Sequence, residues 1–129
     1  MTEGREDLIR YKLRRAGETL EEAKIMLQSS HLFSAANRIY YACFYAVSAL
    51  LLSKDLSSPK HGGVLSLFNK HFVKTGLIPV ELGKFYSRLF DTRIESDYAD
   101  FVTVDVKEIS DNLKTEEIFI SSVKSLIKE

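Results

Sequence analysis

Along the first thirty positions the apolar residues recur in steps of four and three. Ile9, Leu13, Ala16, Leu20, Ala23 and Leu27 share one stripe, and Glu21, Glu22 and Lys24 fall on the other side. That spacing predicts an amphipathic helix over about residues 5–29. The next segment, "SAANRIYYACFYAVSALLLS", is apolar or aromatic on nearly every face and predicts a helix over 34–53. A helix greasy all round is either central in its own bundle or shared with a partner chain. A domain this small has difficulty enclosing one helix completely, so part of this surface is expected at a homodimer interface. "KDLSSPKHGG" reads as a linker from its Ser, Pro and Gly content. A third helix is expected over 63–74, with Val64, Leu67, Phe68, His71 and Phe72 on one side. "TGLIP" ends it, Gly76 suiting a helix C-terminus and Pro79 the first turn of a fourth helix reaching about residue 96. Leu82, Phe85, Tyr86, Leu89, Phe90 and Ile94 form the stripe of that helix. "DYADFVTVD" is expected to be loop, with Thr103 or Asp105 as N-cap. The last helix carries Ile109, Leu113, Ile120, Val123 and Ile127 inward. No strand-length alternation persists, so residues 1–129 are expected to form one all-α domain, an up-and-down bundle of four to five helices.

Composition adds limits. A chain of 129 residues is of single-domain size, and its net charge of zero supplies no global field for nucleic acid or anionic lipid. The charge is nonetheless uneven: residues 54–93 hold seven Lys/Arg against three Asp/Glu, and residues 94–129 hold four against nine. A lone Cys43 forms no intramolecular disulfide, and the opening "MTEGREDLIRYKLRR" is charged where a signal peptide is apolar. The apolar run from Ile39 to Leu52, about fourteen residues, is short of the ~20 that span a bilayer. The expectation is a cytoplasmic protein without membrane contact.

Sites of familiar chemistry are absent. There is no Gly-rich phosphate loop, no paired cysteine and no G-x-S-x-G. A zinc site assembled from His31, His61, His71 and Cys43 would draw on scattered elements, so neither metal nor cofactor is expected. Arg93 is the informative residue. Leu82, Tyr86, Leu89 and Arg93 align by steps of four, three and four, so the guanidinium extends an apolar face and must find acceptors there. Asp97 is the nearest, yet Glu95 and Asp97 near a helix C-terminus run against the macrodipole. Asn37 is likewise a poor interior helix residue and shares a face with Tyr41. Asn37 and Tyr41 are expected to meet Arg93 and Asp97 across the bundle in one polar pocket, with a structural hydrogen bond of Asn37 as the plainer account. His61, flanked by glycine, is expected at the surface or as a helix cap, and His71 in the core.

Three stretches carry a family likeness: "ANRIYYACFYAVSALLL", "SSPKHGGVLSLFNKHFVKTGLIPVELGKFYSRLF" and "TRIESDYADF". With these the chain resembles the HEPN domains, and within them the UPF0332 group. The resemblance implies a helical bundle that dimerises face to face through the helix at 34–53 and the Arg93 end of the fourth helix. Many HEPN proteins are metal-independent endoribonucleases with an Arg-x4-6-His motif, and others act with a small nucleotidyltransferase as toxin and antitoxin. Arg93 matches the motif's arginine, but Tyr98 stands where the histidine belongs. A tyrosine of ordinary pKa, near ~10, is a poor general base at neutral pH. The resemblance thus implies a dimeric module binding a nucleotide or RNA phosphate, a partner nucleotidyltransferase, or both. Arg93, Asn37, Tyr41, Asp97, Tyr98 and His61 are its candidate ligand-binding residues. The alternatives are an endoribonuclease toxin in which Arg93 and Tyr98, or Arg93 and His61, are catalytic, and a purely structural bundle. A variant has Tyr98 modified by the partner enzyme.

Overall fold

A computed structural model describes the backbone of residues 3–98 and 105–127 and the side chains of 4–92 and 105–127. The chain order is α1 (Glu3–Gln28), α2 (Leu32–Ser53), α3 (His61–Phe68) running directly into one π-helical turn (Asn69–Val73), α4 (Val80–Tyr98) and α5 (Val106–Ser125). The described residues contain no strand, and the all-α bundle expected from periodicity is present.

Helices α1 and α2 form a hairpin across a three-residue turn, and their seam is lined with alanine. Ala16 and Ala23 of α1 and Ala35, Ala42, Ala46 and Ala49 of α2 are all fully buried, which lets the two backbones approach closely. The α1 stripe holds as expected, with Leu13, Leu20 and Leu27 partly buried between Ile9, Ala16 and Ala23. α5 packs against both, and α3 and α4 cover another side of α2. Phe119 of α5 closes the centre, its ring 5.7 Å from Tyr86, 5.8 Å from Phe68 and 5.9 Å from Phe85. α2 is therefore the central helix. By length and composition alone it is apolar enough to cross a membrane, a 22-residue helix where the sequence indicated a shorter apolar run. Burial of 56 % of its most apolar window against four neighbouring helices accounts for that character.

The helix ends depart from expectation in informative ways. Ser30 and Asp55 take the left-handed conformation, at φ 61° and 62°. There His31 N–H donates to Met26 O at 2.8 Å and Leu56 N–H to Leu51 O at 2.8 Å, each satisfying a carbonyl of the last turn. Gly76 does the same work for the third helical segment, at φ 83°. α3 begins at His61, not beyond the glycines, so "HGG" is its first turn and not linker. Extended Lys60 (φ −109°, ψ 141°) provides the sharp entry, and its N–H donates to Ser58 Oγ at 3.3 Å. Asp105 caps α5, its side chain accepting from Lys107 N–H at 3.2 Å. Thr103, the other expected cap, lies outside the described residues.

Candidate functional site: an aromatic pocket around His61

The start of α3 lies against the middle of α2, and this contact gathers the chemistry. Tyr40, Tyr41 and Phe44 project from two successive turns of α2 toward His61. The His61 ring stacks on Phe44 with centroids 4.2 Å apart and planes 7° from parallel. It meets Tyr41 edge-on at 5.8 Å and 86°. The Tyr40 hydroxyl is 2.8 Å from His61 Nδ1. The hydroxyl can donate to Nδ1 or accept from it, so the bond orients the ring without choosing its tautomer. Tyr40 itself is 1 % exposed, whereas His61 and Tyr41 are half-buried.

α4 supplies the back wall. Tyr86 is fully buried and stacks on Tyr40 at 6.2 Å, and Phe90 lies 6.5 Å from the same ring. A methyl group placed on Gly62 would touch Phe90 Cζ at 3.7 Å, so the first turn of α3 abuts the second half of α4. Burial pushes the Tyr86 phenol well above its ordinary pKa, with neighbouring Tyr40 adding to the effect, so it stays neutral. On the outer side the Arg38 guanidinium sits 5.3 Å over the Tyr41 ring.

The six candidate residues divide as follows. His61 and Tyr41 come together, with His61 deeper than a capping residue. Asn37 does not join them in an interior niche: it is exposed, and its Oδ1 accepts from Arg38 Nε at 3.2 Å and Nη2 at 2.7 Å. Arg38 reaches on to Glu22 at 3.4 Å, so the amide is satisfied by a surface chain of polar groups and has no need of burial. Arg93, Asp97 and Tyr98 have their side chains outside the described residues; the α4 backbone carries Arg93 one turn beyond Phe90. His71 is half-buried in the π-helical turn, and His31 is exposed. No group of three metal-ligating side chains occurs among the described residues. Tyr40, Phe44 and Tyr86 are not among the candidate residues that the sequence singles out. The available signal was the density of rings in "YYACFY", more than one core stripe requires.

A HEPN-domain family model matches residues 9–126, nearly the whole chain. The chain belongs to the HEPN family. A UPF0332 protein of Thermotoga maritima is 48 % identical across 97 % of this chain and 95 % of its own length, which places this HEPN protein in the UPF0332 group. Two proteins of Methanocaldococcus jannaschii, each named as a candidate toxin, are 33 % and 32 % identical, over 92 % and 88 % of this chain and 85 % and 84 % of their own lengths.

Proposed function

We propose that this HEPN protein is the toxin-like member of a two-component system, and that the His61 end of the bundle binds a nucleotide or RNA phosphate. The observation that carries this reading is the Tyr40–His61 hydrogen bond, held in an aromatic stack beside Phe90. Arg93, one turn further along α4, supplies the cation for the phosphate, and the edge of Tyr41 offers a surface for a base. The names of the two Methanocaldococcus relatives support the toxin-like role. The partner that fits is a minimal nucleotidyltransferase, and the assembly that fits is a homodimer formed along α2. Calorimetric titration with a nucleoside triphosphate tests the site: wild type binds, and Arg93→Ala and His61→Ala each weaken binding at least about tenfold, a loss of ~1.4 kcal/mol. Equal binding by all three proteins would remove the assignment.

One observation favours cleavage as a second reading. The Tyr40 hydroxyl at Nδ1 and the stack on Phe44 hold the His61 imidazole in place, and an imidazole suits proton transfer at neutral pH better than a tyrosine of ordinary pKa does. His61 would take the 2′-hydroxyl proton as that oxygen attacks phosphorus, and Arg93 would stabilise the added charge. The 5′-oxygen would leave with a returned proton, giving a cyclic phosphate and a free 5′-hydroxyl. This reading expects cleavage of a mixed RNA pool in the presence of chelator, lost in His61→Ala and retained in Tyr98→Phe. An RNA pool left intact by wild type refutes the cleavage reading alone.

A further inference from the structure

Ion pairing is distributed very unevenly over the fold. Every ion pair among the described residues has at least one member on α1: Arg5–Asp55, Arg10–Asp7, Arg14–Glu18, Arg15–Glu18, Arg15–Glu22, Lys24–Glu21, Lys24–Glu117 and Arg38–Glu22. The cations of the π-helical turn and α4 are different. Lys70, Lys84 and Arg88, with Lys74 just past the π-helical turn, are set against Glu81 and Asp91 as the carboxylates between residues 69 and 92. None of the four engages a carboxylate among the described residues.

Two of these cations edge a groove of about 440 Å³ between the π-helical turn and α4. Asn69 and Val73 line it from the π-helical turn, and Val80, Gly83, Lys84, Ser87, Arg88 and Asp91 from α4. The groove exists because the two segments touch at Gly83. A Cβ there would lie 2.9 Å from both methyl carbons of Val73, a stiff side chain that has little room to retreat. Asn69 and Val73 are the first and last residues of the π-helical turn. Positions 84, 87, 88 and 91 lie on the opposite side of α4 from Tyr86 and position 93, so the groove is separate from the His61 pocket.

We propose that this groove is a second nucleic-acid contact, which seats the sugar–phosphate backbone of a single-stranded RNA. Lys84 and Arg88, one helical turn apart, supply a point charge and a planar fork for successive phosphates. Asn69 and Ser87 offer hydrogen-bonding groups at the ribose, and Val73 with exposed Val80 forms an apolar wall for a base. A recess with one apolar wall, two neutral polar groups and the Asp91 carboxylate as an acceptor for ribose hydroxyls fits RNA better than an acidic polypeptide, which needs an open row of cations. The proposal stands apart from the reading of the His61 pocket, since it rests on none of the same side chains.

The test is fluorescence anisotropy with a labelled, mixed-sequence single-stranded RNA at several salt concentrations. The Lys84→Ala/Arg88→Ala double variant changes only exposed side chains and keeps the fold, checked by circular dichroism. It is expected to bind about tenfold more weakly, with the salt slope lower by roughly one to two. His61→Ala, run in parallel, keeps the wild-type slope contribution of the groove, so the two sites fail separately. An affinity and salt slope unchanged in the double variant overturn the proposal. So does binding to a polyglutamate peptide, and not to RNA, that depends on Lys84 and Arg88, because the groove would then belong to an acidic protein partner.

Discussion

Glu116 is fully buried on α5 with its Oε1 unpaired among the described residues, while the Cys43 thiol donates to Oε2 at 3.3 Å. Burial holds its carboxyl well above the usual range; Glu117 pushes the same way, and Cys43 and Lys24 oppose. The thiol is also raised, first by burial and then by Glu116, so both groups are neutral partners. Because the folded pKa exceeds the unfolded value near 4.5, the folded state holds the extra proton above that pH. The stability this provides is complete below the unfolded pKa and lost as pH rises through the folded one. Glu116→Gln keeps the acceptor and cannot ionise. It is expected to flatten the decline of urea midpoints as pH rises above about 4.5, and to exceed the wild-type midpoint at the upper end of the pH range. Parallel pH profiles for the two proteins would contradict this. At the pocket, Tyr40→Phe removes the hydroxyl that holds His61 Nδ1 and leaves the rings stacked, so it should lower ligand affinity several-fold with a smaller change in thermal midpoint than Tyr40→Ala.

At the scale of the element, the helix ends and the π-helical turn are where local rules and the fold disagree. Ser30 ends α1 in a left-handed conformation that an L side chain adopts at a cost of roughly 1 kcal/mol. Ser30→Gly is accordingly expected to stabilise the protein by about 0.5–1 kcal/mol in urea melts, since its side chain is exposed and the backbone bonds of the turn are kept. Gly83 behaves in the opposite sense. Its φ is ordinary for a helix, where alanine is normally the better residue. Close approach of Val73 reverses the sign, and Gly83→Ala is expected to destabilise by roughly 1–3 kcal/mol and to open the α4 groove. A Gly83→Ala protein as stable as wild type would show that the contact relaxes freely.

The whole molecule has a hydrophobic centre around α2 and a charged shell, and the ion pairs among the described residues all touch α1. Exposed pairs of this kind contribute little individually and are screened by salt. The cations of the other edge, which engage no carboxylate among the described residues, therefore matter more for what the protein meets than for how it holds together. α2 leaves Phe33 more than half exposed and Tyr41, Phe44 and Tyr45 partly so. The proposed homodimer uses this remaining surface. Light scattering on the purified protein is expected to give twice the chain mass, and a monomer mass across the concentration range would confine the site to one chain.

Helical periodicity is a local property, and so the helices among the described residues and their stripes were legible in the sequence, with Asp105 as one of two cap candidates; each depends on neighbours three or four residues away. The same stripes also contain polar residues: Glu116 falls between Leu113 and Ile120, and Thr19 between Ala16 and Ala23, and both are fully buried. The linker reading of "KDLSSPKHGG" holds up to Lys60 and fails at "HGG", because serine, proline and glycine mark irregular chain without fixing where the next helix begins. What joined His61 to Tyr40 across 21 residues, and Cys43 to Glu116 across 73, was the packing of α3 and α5 onto the central helix. No pattern along the chain encodes which ring meets which, because that choice is made by shape and by the need of buried polar groups for partners, and both exist only once the helices have come together.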